Sequence, residues 1–174
     1  MNIGIISDTH DQIGRAQKAV DLFNLENVGM VIHCGDIVSP FMHMFFKELR
    51  CPVKFLLGNN TGDVLLHLQQ AEAVGLKECA FGTFFSLVLS GRRIAVYHGD
   101  HKEITDALIK CGDYDCVFAG HDHISRVVFQ GDVLFVNPGT LADRHKEGMT
   151  PPSIAIYDTD THTARIIEII DSQR

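Results

Sequence analysis

The stretch Met1-Asn2-Ile3-Gly4-Ile5-Ile6-Ser7-Asp8-Thr9-His10 decides how the rest of the chain is read. A short apolar run of this kind marks a strand buried on both faces. It stops abruptly on two hydroxyls, a carboxylate and an imidazole, so the strand delivers polar groups to the edge of a sheet. The run lacks a basic segment before it and a cleavage site after it. A first strand is therefore expected rather than a signal peptide, and a cytoplasmic protein with it.

Working outward, strand and helix patterns alternate. Ile13, Ala16, Val20 and Phe23 recur with the helical period over 12–26, and Asp11 is the expected N-cap. Residues 28–33 form a second buried strand. Ser39-Pro40 announces a second helix, with Phe41, Met44, Phe45 and Leu49 on its core face. A third strand is expected over 53–57 and a third helix over 63–74. The pattern then changes to strands at 83–90 and 93–97 around Gly91-Arg92, a helix at 102–111, and a short buried strand at 115–119. The last third is mostly β: 125–130 and 133–136 flank Gly131-Asp132, and 153–158 and 163–170 flank an Asp-Thr-Asp-Thr turn. No repeat, linker or low-complexity segment interrupts the chain. Residues 1–174 are expected to form one α/β (α+β) domain, a strand–helix front half feeding a mixed β sandwich with helices outside.

Five polar clusters each come directly after an expected strand: Ser7-Asp8-Thr9-His10, His33-Cys34-Gly35-Asp36, Gly58-Asn59-Asn60, His98-Gly99-Asp100-His101 and Gly120-His121-Asp122-His123. Ligands of such sheets bind outside the carboxyl ends of the strands. Five loops at one edge bring Asp8, His10, Asp36, Asn59, His98, His121 and His123 together. Two carboxylates, one amide oxygen and four imidazoles suit first-row divalent metals and include no soft thiolate. Seven side chains are too many for one ion and suit two if a carboxylate bridges. Taken singly, each cluster also fits a cap, a turn or a strand end. Their common placement after strands is the feature that turns leave unexplained.

The series Asp8-x-His10, Gly35-Asp36, Gly58-Asn59, His98-Gly99 and Gly120-His121-x-His123 resembles the signature of calcineurin-like metallophosphoesterases, especially their short bacterial and archaeal phosphodiesterase branch. Asn137-Pro138-Gly139-Thr140 resembles that branch too, and the match runs to about residue 160. The resemblance implies a four-layer αββα sandwich, with two mixed sheets face to face and helices outside. It implies that Asp8, His10 and His123 hold one divalent ion, that Asn59, His98 and His121 hold the other, and that Asp36 bridges them. Manganese, nickel, iron, cobalt and zinc all fit such ligands. The implied activity is hydrolysis of small phosphoesters, chiefly phosphodiesters, by a hydroxide held at the dinuclear centre. Asn59 and His98 then join the catalytic set.

One position departs from the larger superfamily, where a histidine commonly comes after the motif asparagine and protonates the leaving group. Here it is Asn60, with Thr61 next. An amide is no general acid, and such a group is worth about 10²–10⁴ in rate. Good leaving groups are therefore expected, with Asn60 bonding a phosphoryl oxygen and His101 the nearest substitute acid or substrate contact. Among the remaining histidines, His33 is expected behind the metals or as a core imidazole, His43 and His67 as structural or exposed helix residues, and His162 facing solvent. His145, within Asp143-Arg144-His145-Lys146, belongs to a basic loop.

Composition narrows the alternatives. A net charge of -7 with no basic patch argues against nucleic acid as the partner, and no apolar run is long enough to cross a membrane. The five cysteines are odd in number, irregularly spaced and without a Cys-x-x-Cys pair, so they are expected to be buried reduced thiols. An interaction scaffold of the same fold is the alternative from another class, against which all seven ligand positions carry competent groups. A nuclease or phosphomonoesterase is the alternative within enzymes. The apolar run 41–46 reads as a buried helix, or as one packed in a homodimer.

Overall fold

The computed structural model describes residues 1–76, 78–143 and 150–170. The basic loop around His145 lies outside these residues. Strands β1 (Asn2–Ile6), β2 (Met30–His33), β3 (Val53–Leu56) and β4 (Ala80–Gly82) run parallel, and β10 (Ser153–Asp158) and β11 (Thr163–Glu168) complete a sheet of order β11-β10-β1-β2-β3-β4. Strands β5 (Phe84–Leu89), β6 (Arg92–Tyr97), β7 (Cys116–Phe118), β8 (Arg126–Gln130) and β9 (Val133–Asn137) form the second sheet, of order β5-β6-β7-β9-β8. Both sheets mix parallel and antiparallel pairs.

The inner faces meet in one apolar layer. Ile3 and Ile5 of β1, Ile32 of β2, Leu56 of β3 and Tyr157 of β10 pack with Ile94, Val96, Phe118 and Val136 of the other sheet. Helix α1 (Ile13–Leu25) covers the outer face of the first sheet through Ala16, Ala19, Val20 and Phe23. Helix α3 (Lys102–Lys110) covers the second sheet through Ile109, against Val117 and Phe135. The result is the expected αββα stack.

Residues 40–49 depart from expectation. They fold as a 3-10 helix over Pro40–Phe45 and not as an α-helix. A 3-10 helix repeats every three residues, so i and i+3 share a face. Phe41 and Met44 accordingly lie on one exposed face, while His43 and Phe46 are buried with Met42. Asp11 does not cap α1 either. Its carboxylate accepts from the backbone N–H and the hydroxyl of Ser39, at 3.0 and 2.5 Å, which ties the entry of α1 to the start of the 3-10 helix. The helix α2 (Val64–Ala73) does have a side-chain cap, the Asp63 carboxylate on the Leu66 N–H. The short edge strand β4 carries no pattern of its own in the sequence and exists because β3 offers it a partner. Cys34 and Cys116 are buried as expected, Cys51 and Cys79 are half-buried, and Cys111 is exposed.

Candidate metal centre

The carboxyl ends of β1, β2 and β3 point the same way because the three strands are parallel. β6 and β7 are likewise parallel in the second sheet. Five loops therefore leave the sandwich near one another, and their backbones are held tightly. The Asp8 N–H bonds the Gly35 carbonyl at 2.9 Å, and the Gly120 N–H bonds that of His98 at 2.8 Å. Five of the seven predicted ligands (Asp8, His10, Asp36, His121 and His123) have φ between 41° and 71°. That left-handed region is uncommon for residues with a side chain and concentrates at functional sites, where the surrounding structure holds the strain. Side-chain approach is close as well. A Cβ on Gly58 would sit 2.1 Å from Asp36 Oδ1, and one on Gly120 would sit 1.9 Å from the Ser7 hydroxyl.

Asp8 is buried, and its two oxygens differ. Oδ2 accepts from the Ser7 hydroxyl at 2.5 Å and from the His121 backbone N–H at 2.9 Å. Oδ1 is buried without a hydrogen bond, 3.2 Å from His123 Nε2 and 3.7 Å from His10 Nε2. His10 Nε2 and His123 Nε2 are 3.2 Å apart. Leaving a buried carboxylate oxygen unsatisfied is costly. Its convergence with two ring nitrogens gives that oxygen a purpose if a cation sits between them.

A second convergence lies alongside. The Asn59 Oδ1 is 2.9 Å from both His98 Nε2 and His121 Nδ1, and His98 Nε2 is 3.3 Å from Asp36 Oδ1. His98 Nδ1 lies 2.8 Å from the Cys34 carbonyl, which only accepts. In neutral His98 the proton is thus on Nδ1, and the Nε2 lone pair faces the oxygens. This is how a metal-ligating imidazole is oriented by its other nitrogen. Asp36 spans the two groups, since its Oδ2 is 3.7 Å from His10 Nε2. By proximity of ligand atoms, Asp8, His10 and His123 form one set and Asp8, Asp36 and His98 another, so Asp8 as well as Asp36 stands between the sets.

Electrostatics agree with the geometry. Burial alone would raise the Asp8 carboxyl, but the imidazoles of His10 and His123 outweigh it and hold it well below the usual carboxylate range. For Asp36, burial is again opposed, by His98 and by Asn60. Asp8 raises the pKa of His10. His98 is raised too, because Asp36 and Asp8 overcome its burial.

Two predicted contacts are placed differently from expectation. The Asn60 side-chain amide donates to Asp36 Oδ2 at 2.7 Å and its backbone N–H to Oδ1 at 2.8 Å, so Asn60 fixes the Asp36 carboxylate. His101 is exposed before α3, with Nε2 3.8 Å from the Asp100 carboxylate and no contact to the cluster.

Behind the cluster lie supports, of which the sequence marks His33. The Gly35 N–H donates to His33 Nδ1, so neutral His33 carries its proton on Nε2 toward the Thr9 hydroxyl, 3.2 Å away. Thr9 in turn donates to the Asp36 carbonyl. His43 and His67 are both buried, with His43 Nε2 2.8 Å from His67 Nδ1 and His67 Nε2 3.2 Å from the Val38 carbonyl. The carbonyl again sets the tautomers: His67 donates from Nε2, His43 donates from Nε2 to His67, and His43 Nδ1 is left bare, which matches its lack of any partner. Val38 bridges Thr61, so this pair braces the loop after Asp36 against the loop after Asn59. Asn137 holds the Gly120–His123 turn through the Gly120 carbonyl and Asp122, and Thr140 donates to the Asp8 carbonyl at 2.8 Å. Asn137-Pro138-Gly139-Thr140 was the only signal for these last two. His162, expected in solvent, is half-buried with Nδ1 2.9 Å from the Tyr157 hydroxyl.

Residues 1–162 match the family model of the calcineurin-like phosphoesterase superfamily domain. The chain belongs to that superfamily. It is 36% identical over 167 residues to a phosphodiesterase of Methanocaldococcus jannaschii, covering 96% of this chain and 98% of the relative. A solved archaeal phosphodiesterase superposes with a TM-score of 0.89 at 35% identity, covering 97% of this chain and all of the other. The zinc-bound Vps29 of Entamoeba histolytica shares the fold at a TM-score of 0.68 and 17% identity, with 95% of this chain and 90% of that one covered.

Proposed function

We propose that this chain is a metal-dependent phosphodiesterase acting on small phosphoesters at a site for two divalent ions. The observation that carries the proposal is the bare, buried Asp8 Oδ1 facing two imidazole nitrogens, beside the convergence of His98, His121 and Asn59. Asp8, His10 and His123 would hold one ion, and Asn59, His98 and His121 the other, with Asp36 between them. Oxygen and imidazole donors without thiolate suit manganese, iron, cobalt, nickel or zinc. When bound, the ions supply the positive charge that lowers the pKa of water and neutralises phosphoryl oxygens.

The chain's own groups set the rest. Asn60 orients Asp36 and cannot give a proton to the leaving group. His101 faces solvent. The departing alcohol therefore leaves without a protein acid, and esters of acidic alcohols are favoured. The chain's net charge of -7 disfavours nucleic acid as the substrate. The similarity to two phosphodiesterases supports diesters over monoesters.

The deciding experiment strips the protein of metal, restores manganese, nickel or zinc, and monitors release of nitrophenol from bis(p-nitrophenyl) phosphate and from p-nitrophenyl phosphate. Metal-restored diester cleavage that Asp36→Asn abolishes is the expected result. Bound metal without turnover of either ester would overturn it in favour of a scaffold.

A further inference from the structure

Beyond His121, a cavity of about 610 Å³ opens between α3 and the outer face of the second sheet. That is within the roughly 300–1,000 Å³ of small-molecule sites. It shares His121 with the metal cluster, so a substrate whose phosphorus sits at the cluster can extend a substituent into it.

The chemistry of the walls restricts that substituent. Asp100, Asp106 and Asp122 line the cavity against Lys102 and Arg126, and both cations are already paired, Lys102 with Asp106 at 2.5 Å and Arg126 with Asp122. A second anionic group is disfavoured there. A quaternary ammonium has no free aromatic face either, because the Arg126 guanidinium lies 5.5 Å over the Phe135 ring. That guanidinium is instead a planar partner on which a heterocycle stacks. Ile109, Ala119 and Phe135 give an apolar floor. Gln130 on the wall adds an exposed amide that both donates and accepts. A neutral, flat, hydrogen-bonding group fits these walls.

We propose that this cavity takes a nucleoside, carried as one ester substituent of the phosphodiester, with Gln130 contacting it. The proposal rests on the phosphodiesterase assignment, and the tests separate the two. The first needs no catalysis: adenosine, and choline as a contrast, are titrated into metal-free protein while amide resonances of Gln130 and His121 are tracked. Shifts with adenosine and none with choline are expected. Absence of adenosine shifts at millimolar concentration, or shifts with choline instead, would overturn the nucleoside site. The second compares kcat/KM for adenosine 5′-(p-nitrophenyl phosphate) and methyl p-nitrophenyl phosphate in Gln130→Ala. The ratio of the two should fall about fivefold, the size of one ordinary hydrogen bond. Gln130 is exposed, so its truncation leaves the fold intact. An unchanged ratio refutes the assignment of this residue. If neither ester is cleaved yet adenosine still binds, the phosphodiesterase assignment fails and the cavity stands.

Discussion

His10 and His98 belong to the cluster, whereas His33, His43 and His67 lie behind it, and the same side chain behaves oppositely in the two places. In front, the carboxylates of Asp8 and Asp36 raise the imidazole pKa. Behind, burial lowers it, to about 3 for His33 and His43. In the front rank His10 Nε2 faces Asp8 and His98 Nε2 faces Asn59 and Asp36. The rear rank bonds backbone, the Thr9 hydroxyl and, between His43 and His67, one another. A ligand set and its supports are thus made from one residue type, separated by the charge around each ring.

The largest effect is expected at Asp8. Asp8→Asn removes the charge from a buried carboxylate oxygen that has no hydrogen bond, and should cost at least about 10²–10³ in turnover, the scale of losing one organised electrostatic group. Metal content measured alongside should fall too. Full metal content with near-normal turnover would show that the cluster does not depend on that oxygen.

Next in size is the rear pair. His67→Leu should weaken metal binding about 10–100-fold, the usual effect of removing a group that orients ligands. Gln at position 67 can both donate to Val38 and accept from His43, so His67→Gln should recover most of the affinity. Calorimetric titration with manganese checks both. Equal loss in the Leu and Gln variants would mean that the pair only fills space.

The two ranks also separate by pH. His33 and His43 stay neutral when folded, while the unfolded chain takes up protons below about 6.5. The unfolded state then binds more protons, so their contribution is fully present above that pH and shrinks as pH falls toward 3. Urea unfolding of metal-free protein should show stability declining between these limits, with a shallower slope in His43→Phe. The front rank acts in the reverse sense. Its raised pKa values mean that metal must displace protons, so manganese binding should release protons near neutral pH, measurable in buffers of different ionisation enthalpy.

The smallest effect is expected at Asn60. Asn60→His places an acid beside Asp36 and should raise turnover of poor leaving groups about tenfold, below the usual range for general acids because its placement is not otherwise prepared. An equal gain on nitrophenyl esters would remove the general-acid explanation.

The sheet edge and its seven polar side chains were legible because both depend on local order. A buried strand must end, and the residues next to it in sequence are next to it in space. Asp8, His10, Asp36, Asn59, His98, His121 and His123 needed only parallel strands to meet. The 3-10 helix over Pro40–Phe45 was not legible, since the run 41–46 is apolar at every helical spacing except for His43. With the 3-10 period His43 packs against Phe55 and Phe81. His43 and His67 are 24 residues apart, and nothing local pairs them.

The sequence by itself determined the kind of chemistry: which donor types exist, that no thiolate is among them, and that Asn60 cannot supply a proton. Only the tertiary structure decided which atom of each donor is free. Asp8 Oδ1 is bare because Ser7 and the His121 backbone occupy Oδ2, and His98 presents Nε2 because the Cys34 carbonyl holds Nδ1. Those assignments depend on hydrogen-bond partners from distant loops, and a hydrogen bond is set by distance and angle, which residue order alone does not contain.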